Sequence, residues 1–181
     1  MKLTEYAQQC DTAAEVIERS ESIAGKDVVK RLKEQAKSIR NGVTKTIQAT
    51  GINPDSHNQI EDLPDDRAGD CHMGTKRVRV DLDKAGTDSD HLIIHENIHL
   101  INARRNRGVR VMNTDLEEGI TDGAAEKITG KDITYSDEKG FADEVADANG
   151  VNIIQLHDAY INGDNDQINT WYFFHLAKQS A

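Results

Sequence analysis

The chain has 181 residues, with 22 Lys and Arg against 32 Asp and Glu, and a formal net charge of -10. This length is typical of one domain with a modest core, and the acidic balance excludes general nucleic-acid binding, which needs clustered positive charge. The 2 cysteines are too few for a disulfide framework. No apolar run has the length of a membrane span. We therefore expect no nucleic-acid partner, because of the charge, and no membrane partner, because of the missing apolar span.

The first fifty residues predict two amphipathic helices, an N-terminal helical hairpin over residues 1–50. Apolar side chains recur at the helical period on both sides of Gly25. Polar residues follow Lys2 where a secretory signal would have an apolar run, so a cytoplasmic setting is expected, although leaderless export or phage delivery would leave the same sequence. Three roles for the hairpin stay open: cover for part of the next domain, a pro-segment, or a regulatory element that binds a partner.

Turn-forming residues dominate positions 50 to 75, which predicts a long irregular connection that could shape a binding cleft. Residues 76–82 then alternate apolar and charged side chains, as a half-buried β-strand does. A cluster of helix-capping residues follows at 87–90 and marks the start of a helix.

The stretch 91–102 reads His-Leu-Ile-Ile-His-Glu-Asn-Ile-His-Leu-Ile-Asn, and its apolar spacing predicts this helix. His95 and His99 are four positions apart, so both imidazoles lie on one face and can bind one metal ion. Glu96 projects beside that ion, where its carboxylate can take a proton from an attacking water. The string is H-E-x-x-H, the zinc metalloprotease signature.

A catalytic zinc ion also needs a third protein ligand and keeps its fourth position for water. Glu118 supplies this ligand after an interval of eighteen residues, 100 to 117, which allows a helix end, a reversal and a second helix that crosses the first. This second helix is predicted from Thr114 to about Ile128, and Gly130 closes it. Asp122 lies one turn beyond Glu118 on the same face, where its carboxylate can orient a ligand histidine. Three more helices are predicted, at 138–148, 151–161 and 166–177.

These features resemble the gluzincins, the clan of zinc metallopeptidases that includes thermolysin and the zinc aminopeptidases. The likeness rests on His95-Glu96-x-x-His99, Glu118-Gly119 and Asp122. The later stretch, with residues 118–126, Tyr135 and residues 159–164, also looks like small bacterial gluzincin-like proteins, and the resemblance covers roughly residues 75–178. A metzincin would have Gly and His at the positions of Asn102 and Arg105, so that subclass is disfavoured.

Together, the pattern and the resemblance imply an α+β fold: a mostly helical, minimal zincin-like metallopeptidase domain (51–181) with a small β-sheet, after the N-terminal hairpin (1–50). The resemblance further implies that the strand over residues 76–82, before the 91–102 helix, is a sheet edge that binds extended substrate through main-chain hydrogen bonds.

The activity that the resemblance implies is hydrolysis of peptide bonds by a zinc-activated water. Zn²⁺ would be held by His95, His99 and Glu118, with Glu96 as the proton carrier. An endopeptidase is favoured, because the chain lacks the Gly-x-Met-Glu-Asn stretch with which zinc aminopeptidases anchor a substrate amine. Tyr135, in the loop after the Glu118 helix, is the predicted oxyanion stabiliser. The alternatives for that role are His157, Tyr160, Tyr172 and His175.

Two other functions stay open. The chain could be a non-enzymatic zinc-binding assembly or regulatory module on a zincin-like fold, although the presence of Glu96 argues against it. It could also be a latent protease held inactive by residues 1–70, in which case truncation would raise cleavage. The expected partner of the enzyme is a protein or peptide substrate, and the sequence indicates neither its identity nor the oligomeric state.

Overall fold

Helices dominate the computed structural model, which describes residues 1–19, 25–64, 66–131 and 136–180. The helices are α1 (Leu3–Arg19), α2 (Lys26–Thr50), α3 (Leu82–Ala85), α4 (Ser89–Arg105), α5 (Thr114–Thr129), α6 (Ser136–Ala148), α7 (Ile153–Asn162) and α8 (Asn165–Gln179). Single 3₁₀ turns lie at Pro54–Ser56 and Gly86–Asp88. The predicted mostly helical α+β fold with an N-terminal helical hairpin is confirmed.

The strands β1 (Asn58–Ile60), β2 (Gly69–His72) and β3 (Arg77–Val80) form a mixed sheet in the order β1-β3-β2. β1 is parallel to β3, whereas β2 is antiparallel to it, with Gly69 opposite Val80. Val78 and Val80 are fully buried, as the alternation predicted.

Two predictions about this region are wrong. The stretch 50–75 is not irregular throughout, because it contains β1 and β2, which at three and four residues are too short to show an alternating pattern. The strand that precedes the helix with the H-E-x-x-H string, α4, is not a sheet edge either. β3 is the central strand, and in the part of the chain that the structure describes the edges are β1 and β2.

The chain forms two compact units, Met1–Asn97 and Ile98–Ala181, and the division falls inside α4. In the first unit, α1 and α2 pack against each other through small and aliphatic side chains that are fully buried, among them Leu3, Ala7, Ala36 and Ile39. The functional division that the sequence suggests after residue 50 stays a prediction.

Helix α2 lies directly against the beginning of α4. A Cβ atom at Gly42 would lie 2.8 Å from the Asp90 Cα, so only glycine allows this approach of the two backbones. Ser38 Oγ donates to Asp90 Oδ1 (3.0 Å) and accepts from the Asp90 N–H (2.9 Å). The N-terminal hairpin therefore helps to position the helix that carries the H-E-x-x-H string.

In the second unit, helices α5 to α8 surround a core of fully buried side chains that includes Leu116, Ile120, Leu156 and Ile168. Asn113 caps α5 by accepting from the Leu116 N–H (2.8 Å), and Gly130 ends α5 at a φ of 73°. Asn152 and Gln155 form a capping box at the start of α7. The predicted helices of this half are confirmed, with ends shifted by a few residues.

Among the described residues, no helix combines the length and apolar character that crossing a membrane requires.

Candidate metal centre

Helix α4 is buried on nearly all sides although much of it is polar. A helix in such a position is usually apolar all round, because an unsatisfied polar group costs free energy in the interior. The buried polar side chains of α4 are Ser89, Asp90, His91, His95, Glu96, Asn97, His99 and Asn102. So many buried polar groups on one helix indicate a hydrogen-bonded network, a ligand site, or both.

His99 meets Glu118 across helices α4 and α5. Its Nε2 lies 3.3 Å from Glu118 Oε2. His95 precedes His99 by one turn of the same helix, so the two imidazoles share one face of α4. The Glu118 side chain is 34% exposed while that of His99 is 6% exposed, so solvent reaches the carboxylate at the edge of a buried helix.

The other ring nitrogen of His99 is held by a buried tyrosine. Tyr160 OH donates to Glu117 Oε1 at 2.6 Å, and it lies 2.8 Å from His99 Nδ1. Because a carboxylate only accepts, the tyrosine proton points to Glu117, and the tyrosine oxygen accepts from the Nδ1–H of His99. Burial and the Glu117 carboxylate raise the pKa of Tyr160 well above its usual value, which keeps the hydroxyl protonated.

These hydrogen bonds determine what His99 presents to Glu118. With the proton on Nδ1, neutral His99 has a lone pair on Nε2, and the Glu118 oxygen also presents a lone pair. Two lone pairs 3.3 Å apart repel each other unless a cation, a proton or a metal ion, lies between them. Two ligands bound at ~2.0–2.1 Å to a tetrahedral zinc ion would lie about 3.3 to 3.4 Å apart. The donor set therefore fits zinc.

Two groups of side chains have the composition and proximity of metal ligands. In each group the candidate ligand atoms lie within 4.8 Å of one another: His95, His99 and Glu118 in one, and His91, His95 and Asp122 in the other. The first group is the predicted zinc set. The role of Asp122 in orienting a ligand histidine stays a prediction.

The carboxylate of Glu96 lies against strand β2. A Cβ atom at Gly69, the first residue of β2, would lie 2.4 Å from Glu96 Oε1 and 2.5 Å from Leu92 Cδ1. Glu96 is 7% exposed, so its carboxylate is buried beside Gly69, the first residue of the edge strand β2. The absence of a side chain at Gly69 leaves the space that the carboxylate occupies.

The residue after Glu118 has a structural reason to be glycine. A Cβ atom at Gly119 would lie 2.0 Å from the Glu138 carbonyl oxygen, so glycine lets the first turn of α6 rest directly on α5. Gly123, one turn later, does the same for α7: a Cβ atom there would lie 2.8 Å from His157 Nε2. Helices α6 and α7 thus pack closely on the residues of α5 that directly follow Glu118 and Asp122.

The predicted oxyanion stabiliser Tyr135 lies outside the described residues. Of the alternatives, Tyr160 faces His99 Nδ1, on the opposite side of the ring from Glu118. Tyr172 packs edge-on against Phe141 and accepts from Asn113 Nδ2 (3.4 Å), and His175 also packs on Phe141. His157 packs on Gly123.

Sequence reasoning missed three features. His91 extends the four-residue spacing of His95 and His99 backwards, so its place on the same face was visible in the pattern. Gly69 and the hydrogen bond of Tyr160 to His99 had no such signal, since each joins residues far apart in the chain.

Comparisons of the chain with models of known protein families, with curated protein sequences and with solved structures found no match.

Proposed function

We propose that this protein is a zinc-dependent metallopeptidase of the gluzincin type and that it acts as an endopeptidase. The proposal rests on one observation: Glu118 Oε2 approaches His99 Nε2 at 3.3 Å, on the side of the ring that Tyr160 leaves open. His95, one helical turn earlier, completes a set of two imidazoles and one carboxylate. Catalytic zinc sites typically have this donor set.

A zinc ion in this site would polarise the substrate carbonyl and lower the pKa of a water molecule. Glu96 follows His95 directly and has the chemistry to accept a proton from the attacking water and to deliver it to the leaving amine. Its burial beside β2 holds the carboxylate in one place, so that little reorganisation is needed when a proton moves.

We also propose that extended substrate pairs with β2 rather than with β3. β3 is flanked by β1 and β2, whereas the outer edge of β2 faces no other described strand. A peptide that adds to this edge would bind through main-chain hydrogen bonds and would pass Gly69, where the Glu96 carboxylate lies. This arrangement brings a peptide bond to the proton carrier with little dependence on side-chain sequence.

Elemental analysis tests the metal site. The unchanged protein, purified without chelator and supplied with zinc, should contain about one zinc ion per chain, and Glu118→Ala should contain far less, because the third ligand is gone. Glu144→Ala, at an exposed position on α6, is the matched control and should keep its zinc. If the unchanged protein binds no zinc, the peptidase proposal is wrong.

The role of Glu96 is tested by cleavage of a fluorescently labelled, denatured protein. Glu96→Gln should keep its zinc but lose activity by about 10²- to 10⁴-fold, because the amide cannot accept the proton. Glu144→Gln should cleave like the unchanged protein. Zinc bound at full occupancy with no cleavage by the unchanged protein would favour the non-enzymatic zinc-binding module instead.

The exclusion of nucleic-acid partners and the cytoplasmic setting stay predictions from the sequence.

A further inference from the structure

We propose that Tyr160 and Glu117 form a positioning pair for His99, in which the tyrosine hydroxyl joins the Glu117 carboxylate to His99 Nδ1 and so directs Nε2 to the metal. This inference rests on the proposed zinc site and adds the residues that prepare one of its ligands. Neither residue touches substrate or metal in this scheme, so both are positioning residues.

The direction of the two hydrogen bonds carries the argument. Glu117 Oε1 lies 2.6 Å from Tyr160 OH but 3.9 Å from His99 Nδ1, so the tyrosine is the link between carboxylate and imidazole. The carboxylate takes the tyrosine proton, and the tyrosine oxygen then takes the Nδ1–H. If both hydrogen bonds ran in the opposite direction, the Tyr160 oxygen and Glu117 Oε1 would face each other as two acceptors. The tautomer of His99 with its lone pair on Nε2 is therefore selected.

Both the side chain and the backbone carbonyl group of Tyr160 are held in place. Its side chain is fully buried, and its ring packs edge-on to the His99 ring with centroids 6.0 Å apart. Its carbonyl oxygen accepts from Asn102 Nδ2 at 2.8 Å, and Asn102 lies on α4 three positions after His99. Asn102 and Asn165 also exchange side-chain hydrogen bonds of 2.6 and 2.9 Å. The hydroxyl is thus held at the imidazole by the same helix that carries the imidazole.

The adjacent residues Glu117 and Glu118 of α5 act on different ring nitrogens of His99. Successive residues of an α-helix point about 100° apart, so Glu117 and Glu118 reach different sides of the His99 ring. Glu118 meets Nε2, the nitrogen that faces the metal, whereas Glu117 acts on Nδ1 through Tyr160. The negative charge of Glu117 polarises the Tyr160 hydroxyl, and this makes His99 Nε2 a stronger electron-pair donor to a cation.

The test compares zinc affinity in Tyr160→Phe and Tyr172→Phe, measured by competition with a chromophoric chelator. Tyr160→Phe keeps the ring and loses the hydroxyl, and we expect zinc to bind about 10- to 100-fold more weakly. Tyr172→Phe removes a hydroxyl that contacts Asn113 instead, and zinc affinity should be unchanged. Glu117→Gln, which keeps the shape and removes the charge, should also weaken zinc binding, and it serves if Tyr160→Phe folds poorly.

A second readout needs no metal. Nitrogen-15 NMR of the zinc-free Glu118→Ala protein, in which no Glu118 carboxylate competes for a proton on Nε2, should place the proton of neutral His99 on Nδ1. When Tyr160→Phe is added to Glu118→Ala, the proton should move towards Nε2, the tautomer that imidazole side chains prefer in water. A merely structural role of the tyrosine would change stability without this exchange of tautomers.

The outcomes separate the two proposals. Zinc retained by Glu118→Ala contradicts the proposed metal site. Zinc lost in Glu118→Ala, with unchanged affinity in both Tyr160→Phe and Glu117→Gln, contradicts the positioning pair alone. An unchanged His99 tautomer when Tyr160→Phe is added to a folded Glu118→Ala protein also overturns the pair.

Discussion

At the scale of single residues, Gly69 allows strand β2 to approach the Glu96 carboxylate closely. A methyl group there would overlap Glu96 Oε1, Glu96 Cγ and Leu92 Cδ1, so the Glu96 side chain would have to shift. A carboxylate that transfers a proton is sensitive to such a displacement. Glycine at this position therefore lets β2 lie against the carboxylate without displacing it.

We predict that Gly69→Ala lowers peptide cleavage by about 10- to 100-fold, because a shift of about 1 Å in a catalytic group is enough for such a loss. Zinc content should stay close to that of the unchanged protein, because the atoms nearest to the added Cβ belong to Glu96 and Leu92 and not to a proposed zinc ligand. Gly74→Ala is the control, since a Cβ atom there would come no closer than 3.3 Å, to the side chain of His72. Full activity in Gly69→Ala would show that Glu96 is not constrained by β2.

At the scale of elements, α5 is the helix on which α6 and α7 rest, and α7 does so through a buried histidine. His157 is 6% exposed, and neither of its ring nitrogens has a hydrogen-bond partner among the described residues. Burial, and then the nearby charge of Lys127, lowers the pKa of His157 from 6.5 to about 4. Asp158 and Glu126 oppose this shift without cancelling it.

This shift predicts a pH dependence of stability. The unfolded chain gains a proton on His157 near pH 6.5, but the folded chain gains it only near pH 4. The contribution is thus fully present above pH 6.5 and is lost as the pH falls towards 4, by up to about 3 kcal/mol.

Urea unfolding at pH 7.5 and pH 4.5 measures this contribution. His157→Leu should lose less stability than the unchanged protein on acidification, because leucine has no proton to bind. The same substitution at the exposed His72 is the control and should leave the pH dependence as it is. Parallel pH profiles for His157→Leu and the unchanged protein would contradict the predicted linkage.

At the scale of the whole molecule, the N-terminal hairpin contributes to the fold of the first unit. Buried side chains of α1 and α2 belong to its core, and α2 contacts the start of α4 through Gly42 and Ser38. A chain that begins at residue 51 would expose the buried face of this contact to water and leave Asp90 without the Ser38 hydroxyl.

We therefore expect a chain of residues 51–181 to unfold at lower temperature than the full chain and to cleave a labelled protein more slowly. Circular dichroism with thermal unfolding, together with the cleavage assay, checks both. If the shortened chain instead stays folded and cleaves faster, residues 1–50 restrain the enzyme, and the latent-protease hypothesis is favoured over a structural role.

Much of the helical framework could be predicted from the sequence. The helix over 91–102 and the helix that begins at Thr114 followed from apolar periodicity and end signals, which are local properties. The two short strands could not be predicted, since β1 and β2 acquire their identity by pairing with β3. The wrong choice of β3 as a sheet edge has the same cause: strand order depends on which segments pair, and alternation along one strand does not encode that.

For the candidate site, the sequence by itself determined the spacing of His95, Glu96 and His99 along one helix, because the helical repeat places i and i+4 on one face. Only the tertiary structure decided what surrounds them. Tyr160 reaches His99 across 61 positions of the chain, and Gly69 meets Glu96 from another element altogether. Such contacts depend on how helices and strands pack, a property that no local pattern records.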